Sequence, residues 1–335
     1  MKATVPRLLV LAFLVLPTRS PGQSTQIRGF TDVVFVTEKP QASAGFELGQ
    51  FDLFMTSQVN DRISFLSETV FEYDERFIVD VERVIVKFEW AHYLNVSVGK
   101  HHTPIGYWNT AYHHGSLLQP TIQRPLLFRF EDEGGILPIH TVGLLLQGDY
   151  ILSAQFGYSL MIGNGIGSTP LRDNNAAKSV TVSAHLRPAR GLRVGASLYR
   201  DRLAAGTLNL REEPLPAALN QTLLTGTVVY QGPPFELMTE YVRSVNAGST
   251  ERTTSWGYYL YAGYRVHRFV PYVRLDRIDF ATGDPYYVGE DTRGFLLGLR
   301  YDAHYLTVLK GEVERKVVGD EGSHVVVQLQ VAVGF

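Results

Sequence analysis

The last eleven residues of the chain alternate between large apolar side chains and mostly polar or small ones. Every odd position from Val325 to Phe335 is a large apolar residue, whereas the even positions include Gln328, Gln330 and Gly334. A period of two with one apolar face is typical of a β-strand, because successive side chains of a strand point to opposite sides. The pattern reaches the final residue, so the sequence predicts a strand that ends with the chain.

Similar alternating segments recur along the chain, which is therefore predicted to be all-β. Most are about ten residues long, the length that a tilted strand needs to cross a membrane. The second and fourth segments change phase midway, which predicts a bulge in each. The predicted strands cover 26–37, 44–58, 63–73, 77–90, 94–101, 139–149, 151–163, 179–187, 192–201, 220–230, 235–245, 255–266, 269–279, 293–302, 305–316 and 324–335.

The connections between these segments alternate in length. From the fifth segment onward, short turns alternate with longer connections such as 164–178 and 202–219. Aromatic residues such as Trp90, Tyr93 and Phe269 lie beside the short turns, as in the aromatic belt of a membrane interface. The asymmetry predicts a transmembrane antiparallel β-barrel of about 16 strands, with short periplasmic turns and long outer loops.

The beginning of the chain forms a separate unit. Lys2 and Arg7 precede an apolar run at 8–16, and small residues follow it. A charged start and an apolar core too short to span a bilayer are typical of a cleaved secretory signal. We therefore assign residues 1–22 to a signal peptide and 23–335 to a single barrel domain. The expected location is the outer membrane of a Gram-negative bacterium, where the barrel contacts the lipid bilayer and lipopolysaccharide.

Composition excludes several functional classes. The chain has no cysteine and a formal net charge of −2. It therefore has no disulfide scaffold and no thiol nucleophile, and it lacks the basic balance of a nucleic-acid-binding protein. Ser116 lies two residues from His114 but in no recognisable hydrolase motif, so we expect no enzymatic activity and no cofactor.

The polar face of each strand in such a barrel points into the lumen. Burying many unpaired charges in a dry interior is very unfavourable, and a barrel of about 16 strands leaves room for an aqueous channel. A second interpretation stays open, in which these charges pair across neighbouring strands and set no selectivity. The residues predicted to line the pore are Arg187, Arg193, Arg265, Arg274, Arg300, Lys87, Lys310, Glu236, Glu240 and Asp276.

The connection 102–138 is the longest and contains many aromatic and apolar residues that need burial. A connection of this length is rarely idle, so we predict that it folds into the lumen and narrows it. Its acidic residues would then face arginines of the wall across a narrow aqueous gap. Alternatively, the acidic triplet lies on an exposed loop apex and contacts nothing. The predicted constriction residues are Arg124, Arg129, Glu131, Asp132 and Glu133.

Two motifs in this region carry a family resemblance. The sequence Phe-Glu-Asp-Glu-Gly-Gly at 130–135 resembles the constriction loop of Gram-negative porins. The sequence Gly-Lys-His-His-Thr-Pro-Ile-Gly at 99–106, with Trp108 and Asn109, resembles the porin superfamily that includes the phosphate-selective porins O and P. Only six lysines follow the signal peptide, so phosphate specificity is not implied.

The resemblance implies a porin that gives passive diffusion of small hydrophilic solutes or ions through a water-filled barrel. It also implies a homotrimer. The terminal Phe335 is similar to the assembly signal that the barrel-assembly machinery reads in bacterial outer-membrane barrels.

Six of the ten histidines lie between positions 92 and 140. Histidine-rich tracts can bind zinc or copper, so a binding or receptor barrel for a metal or metal chelate is an alternative function. Against it, the adjacent pairs at 101–102 and 113–114 lack a carboxylate at ligand spacing, and no cysteine is available. We therefore assign no metal ligand and expect these histidines to form hydrogen bonds within the loop.

Overall fold

The computed structural model describes residues 24–39, 43–74, 76–113, 115–130, 134–169, 172–249, 251–320 and 322–335. Sixteen antiparallel strands form a closed barrel in which each strand pairs with its neighbours in sequence and the first pairs with the last. The predicted all-β fold class is confirmed. The proposed signal peptide at 1–22 lies outside the described residues. Within the described ranges, no helix is long and apolar enough to cross a membrane.

Apart from the start of the seventh strand, the strand boundaries lie within three residues of the predicted ones. Two short helical segments, α1 (Trp108–Ala111) and a 3-10 turn (Leu126–Phe128), lie in the long connection after β5. The strands are β1 (Ser24–Lys39), β2 (Ser43–Asn60), β3 (Ile63–Asp74), β4 (Arg76–Ala91), β5 (Leu94–His102), β6 (His140–Ile151), β7 (Phe156–Gly163), β8 (Ser179–Ala189), β9 (Leu192–Leu203), β10 (Leu219–Gly232), β11 (Phe235–Ala247), β12 (Arg252–Tyr264), β13 (Phe269–Asp279), β14 (Thr292–His304), β15 (Thr307–Val318) and β16 (Gly322–Gly334).

Both predicted bulges occur. In β2, residues 49 and 50 lie opposite the single residue Asp32 of β1. In β4, Glu82 is the extra residue opposite Glu68 and Thr69 of β3. A bulge turns a side chain away from its regular direction, and the Glu82 side chain is only 5% exposed.

The predicted seventh strand, 151–163, begins too early. In the structure β7 begins at Phe156, and residues 152–155 form the preceding turn. Tyr150 and Leu152 adopt φ values of 54° and 59°, which non-glycine residues adopt uncommonly. The prediction was wrong because the apolar alternation continues through the turn and neither glycine nor proline marks it.

Large apolar side chains cover the outside of the barrel. Leu224, Leu260, Leu297, Val313 and Leu329 are between 45% and 57% exposed. An apolar exterior of this extent is incompatible with water and is typical of a transmembrane barrel. The exposed aromatic residues near the short turns include Trp90, Tyr93, Tyr150, Phe235, Tyr264, Phe269, Tyr305 and Phe335.

The last residue of the chain helps to close the barrel. Phe335 N–H donates to Gly29 O and Gly29 N–H donates to Phe335 O, both at 2.9 Å. The Phe335 ring lies over Gly29, because a Cβ at that position would come within 2.3 Å of Cζ. The ring also stacks on Phe51, with the centroids 6.0 Å apart. The role of Phe335 as an assembly signal stays a prediction.

The described part of residues 103–139, called the inward loop below, lies inside the barrel. Its apolar residues Ile105, Trp108 and 126–128 form a buried core with residues such as Tyr199 and Tyr259 of the inner wall. Trp108 is 0% exposed, and its ring lies 5.9 Å from that of Tyr259. The apolar core of the inward loop therefore packs against β9–β14, and a large cavity lies along β1–β9.

Candidate functional site

Glu240 of β11 fixes the first turn of the inward loop. Its Oε2 accepts a hydrogen bond from Tyr107 N–H at 2.5 Å, and its Oε1 accepts one from Trp108 N–H at 2.8 Å. The same carboxylate accepts hydrogen bonds from the hydroxyls of Thr227 and Tyr259 at 2.8 and 3.0 Å. With four donors, this carboxylate is satisfied although it is only 1% exposed. Glu240 therefore holds the start of α1.

Three further carboxylates of the wall accept hydrogen bonds from backbone N–H groups of the inward loop. The pairs are Asp52 with Gly115 at 3.1 Å, Asp276 with Leu126 at 3.1 Å and Glu312 with Ile122 at 2.6 Å. Irregular backbone inside a barrel has no strand partner, so its buried N–H groups need other acceptors. Because the four carboxylates lie on β2, β11, β13 and β15, they anchor the inward loop from several sides of the barrel.

Two buried cations bind oxygen atoms of the inward loop. Arg274 donates from Nη1 to Thr121 Oγ1 at 2.8 Å and from Nη2 to Arg124 O at 3.1 Å. Lys310 Nζ donates to the carbonyl oxygens of Ser116 at 2.5 Å and Thr121 at 3.3 Å. The inward loop thus receives both donors and acceptors from charged residues of the wall.

Four residues that the sequence assigned to an aqueous pore wall are therefore buried under the inward loop: Glu240, Arg274, Asp276 and Lys310. The alternation placed them correctly on the inner face of their strands. Their side chains contact the inward loop, however, because the buried irregular backbone requires hydrogen-bonding partners. They position the loop and do not border open space.

Arg265, Arg300, Glu236 and Asp302 form a closed network near the short turns. Arg265 lies 2.9 Å from Glu236 and 2.7 Å from Asp302, and Arg300 lies 2.8 and 3.0 Å from the same two acids. Two positive and two negative charges balance each other. These charges pair with one another, but not across neighbouring strands as in the alternative that the sequence left open, because Glu236 lies on β11 and Arg300 on β14.

A cavity of about 1140 Å³ near the short turns is bordered by Lys87 and Arg193. Arg193 lies over the ring of Tyr107, with Cζ 5.1 Å from its centre. Burial raises the pKa of the Tyr107 hydroxyl, so the side chain under Arg193 stays neutral. Lys87 and Arg193 therefore border open space, as the sequence predicted.

Arg187, the third predicted pore-lining cation of this region, forms an ion pair. Its Nη2 lies 2.8 Å from Oδ2 of Asp149.

A second cavity, of about 240 Å³, separates the inward loop from the opposite wall. It is bordered by Arg124, Arg129 and Phe130 of the loop and by residues such as Glu314 and Lys316 of β15. The guanidinium carbon of Arg124 lies 3.9 Å from the centre of the Phe130 ring. This gap therefore brings charges of both signs together.

Three predicted constriction residues lie outside the described residues: Glu131, Asp132 and Glu133.

Four potential metal ligands meet where the inward loop leaves the wall. Glu82 of β4, His102 of β5, His113 of the inward loop and His140 of β6 place one ligand atom each within 4.8 Å of all the others. Sequence reasoning missed this set because it looked for a carboxylate beside the histidine pairs, whereas Glu82 lies on a different strand. The phase change in β4 was the available signal, since Glu82 is the bulged residue.

Sequence reasoning also missed two anchors of the inward loop, Asp32 and Asp52. Asp32 Oδ1 accepts a hydrogen bond from Ser116 Oγ at 2.7 Å, and Asp52 binds Gly115 as described above. Both acids are buried, and each is followed directly by apolar residues of its strand. A carboxylate in such a strand could have marked them, because a buried charge needs a partner.

No known protein-family profile matches the chain, and no curated protein matches its sequence. Solved structures, however, match it over most of its length. The anion-selective porin from Comamonas acidovorans superposes with a TM-score of 0.68 at 14% identity, covering 93% of this chain and 100% of that porin.

Two further structures agree with this match. OmpT of Vibrio cholerae, an outer membrane protein in its trimer form, gives a TM-score of 0.66 at 12% identity, with 94% of this chain and 100% of OmpT covered. The outer membrane channel DcaP of Acinetobacter baumannii gives a TM-score of 0.66 at 10% identity, with 94% of this chain and 98% of DcaP covered. The chain has the fold of a porin. These matches favour neither the phosphate-selective group nor a receptor for metal chelates.

Proposed function

We propose that the protein is a passive channel of a Gram-negative outer membrane through which small hydrophilic solutes or ions diffuse. The observation that carries this proposal is a closed barrel with an apolar exterior and an internal cavity of about 1140 Å³ bordered by charged side chains. Charges such as those of Lys87 and Arg193 beside a cavity require water. Two of the similar structures are an anion-selective porin and an outer membrane channel, which supports the same function.

The narrow part of the proposed pore is the gap between the inward loop and β15. Arg124 and Arg129 border the gap on the loop side, and Glu314 and Lys316 border it on the wall side. Opposed charges across a narrow aqueous gap produce a transverse field that orients dipolar solutes and discriminates between ions. The proposal includes the acids at 131–133, because they directly follow Phe130 at the edge of the same gap.

The guanidinium of Arg193 borders the large cavity nearer the short turns, whereas Lys87 and Arg187 are paired with Glu89 and Asp149. We propose that the region around Arg193 attracts anions before or after they pass the constriction.

The same proposal includes how the protein reaches and occupies the membrane. The signal at 1–22 directs export, the barrel-assembly machinery inserts the barrel, and the inserted barrel contacts lipopolysaccharide and forms a trimer.

Recordings in planar lipid bilayers test the proposal. The purified protein, shown to be folded by a gel mobility that changes on boiling, should produce stepwise currents. In a potassium chloride gradient, Arg129→Gln should move the reversal potential toward cation preference, because the gap loses a positive charge. Arg190→Gln, in an exposed turn, is the matched control and should leave it unchanged. Folded protein without current would refute the channel, and equal effects of the two variants would refute the position of the constriction.

A further inference from the structure

The four potential ligands surround one small volume. His140 Nε2 lies 2.5 Å from Glu82 Oε2 and 2.9 Å from His113 Nε2, and His113 Nε2 lies 3.8 Å from the same Glu82 oxygen. The side chain of His102 is packed beside them, with its ring centre 3.7 Å from that of His113. The Glu82, His102 and His113 side chains are at most 7% exposed, and that of His140 is 18% exposed.

These distances suit a tetrahedral ion. With zinc–nitrogen and zinc–oxygen bonds of about 2.0–2.2 Å, the ligand atoms of a tetrahedral site lie about 3.3–3.6 Å apart. The three distances given above, 2.5, 2.9 and 3.8 Å, bracket that spacing. All four ligand atoms lie within 4.8 Å of one another.

Asn109 fixes the protonation of His113. Both hydrogens of its side-chain amide are used, because Nδ2 donates to Thr103 O at 2.9 Å and to Ile139 O at 3.1 Å. Its Oδ1 therefore faces His113 Nδ1 at 2.9 Å as an acceptor, and Nδ1 must carry the proton. The lone pair of His113 is then on Nε2, which points at His140 and Glu82, as required of a metal ligand.

An aromatic ring and a buried ion pair lie beside the four ligands. The Phe130 ring covers one side, with its centre 5.6 Å from that of His113 and 6.1 Å from that of His140. The carboxylate of Glu68 lies 3.7 Å from His102 Nε2 and is paired with Arg83. The charges of Glu68 and Arg83 cancel, so the carboxylate of Glu82 is the charged group that balances a bound ion.

We propose that Glu82, His102, His113 and His140 bind a zinc ion that fastens the inward loop to the barrel wall. Imidazole and carboxylate ligands suit zinc. Four protein ligands close the coordination sphere, which is typical of a structural zinc site and leaves no position for a substrate. Because His113 belongs to the inward loop and the other three ligands belong to β4, β5 and β6, the ion cross-links the loop to three strands.

Zinc titration of the purified, folded protein tests the site directly. The wild type should bind one equivalent, and Glu82→Gln and His140→Ala should each lower the affinity at least tenfold. Asn109→Ala should lower it about 10–100-fold, as is usual when the partner of a ligating histidine is removed. His304→Ala, at an exposed position at the end of β14, is the matched control and should bind as the wild type does.

Cobalt binding gives a second readout that needs no variant. Cobalt bound to the wild type should show the intense visible absorption of a tetrahedral ion. Absence of this absorption, or zinc binding that Glu82→Gln and His140→Ala leave unchanged in folded protein, would overturn the site. A gel mobility that changes on boiling shows whether each variant is folded.

Hydrogen exchange tests the cross-link independently of any channel activity. Zinc should slow exchange of the backbone amides at 109–113 in the wild type and in His304→Ala, but not in Glu82→Gln. If zinc binds stoichiometrically and exchange at 109–113 does not change, the ion does not fasten the loop and that part of the proposal is wrong.

Discussion

Replacing Glu240 by glutamine should weaken the docking of the inward loop although the side chain keeps its size. Each oxygen of the carboxylate accepts one backbone N–H and one hydroxyl. The amide of Glu240→Gln has one oxygen and one NH₂ group, so one backbone N–H faces a donor. The hydroxyls of Thr227 and Tyr259 can rotate to accept, but the N–H groups of Tyr107 and Trp108 cannot. An unsatisfied buried N–H costs about 1–3 kcal/mol, which is the expected loss of docking free energy.

The emission of Trp108 reports on this docking because its side chain is 0% exposed in the contact with the wall. Replacing Trp90 and Trp256 by phenylalanine leaves Trp108 as the only tryptophan of the chain. In a urea titration, release of the inward loop should shift Trp108 emission to the red, and Glu240→Gln should lower the urea concentration at which this occurs.

Thr227→Val is the matched control for this experiment. It removes one hydroxyl donor from the same carboxylate but leaves both backbone N–H groups with their acceptors. It should therefore shift the Trp108 transition less than Glu240→Gln does, because no buried N–H loses its acceptor. If Glu240→Gln shifts the Trp108 transition no more than Thr227→Val does, the carboxylate does not hold the inward loop and the reasoning fails.

Three further changes have defined outcomes. Converting the acids at 131–133 to their amides should move the reversal potential toward anion preference, most strongly at low salt where screening is weak; an unchanged potential would exclude them from the constriction. Gly29→Val should displace the Phe335 ring, because a Cβ at position 29 would lie 2.3 Å from it. The temperature at which the folded band on a gel converts to the unfolded band should then fall, and the same temperature as in the wild type would contradict a stabilising contact. Arg274→Met should leave Asp276 buried without its ion-pair partner. The free energy of unfolding, measured by urea denaturation, should then fall by about 3–5 kcal/mol, and a loss below about 1 kcal/mol would refute a stabilising role of the pair.

The barrel itself was predictable from the sequence because its determinants are local. Period-two alternation follows from the geometry of a single strand, and the contrast of short and long connections depends only on residues between strands. Even the bulge at Glu82 left a trace, because an extra residue shifts the alternation of β4. The start of β7 was missed because the turn at 152–155 has ordinary residues in an uncommon backbone conformation.

The contents of the lumen depended on the tertiary structure alone. Alternation shows that Glu240 and Arg274 point inward but not whether water or the inward loop meets them there. That outcome rests on contacts between residues far apart in sequence, such as Glu312 with Ile122, which are 190 positions apart. The cluster of Glu82 with three histidines likewise forms only when β4, β5 and β6 pair and the inward loop folds against them. Side-chain direction is a property of one strand, whereas the partner that a side chain meets is a property of the closed barrel.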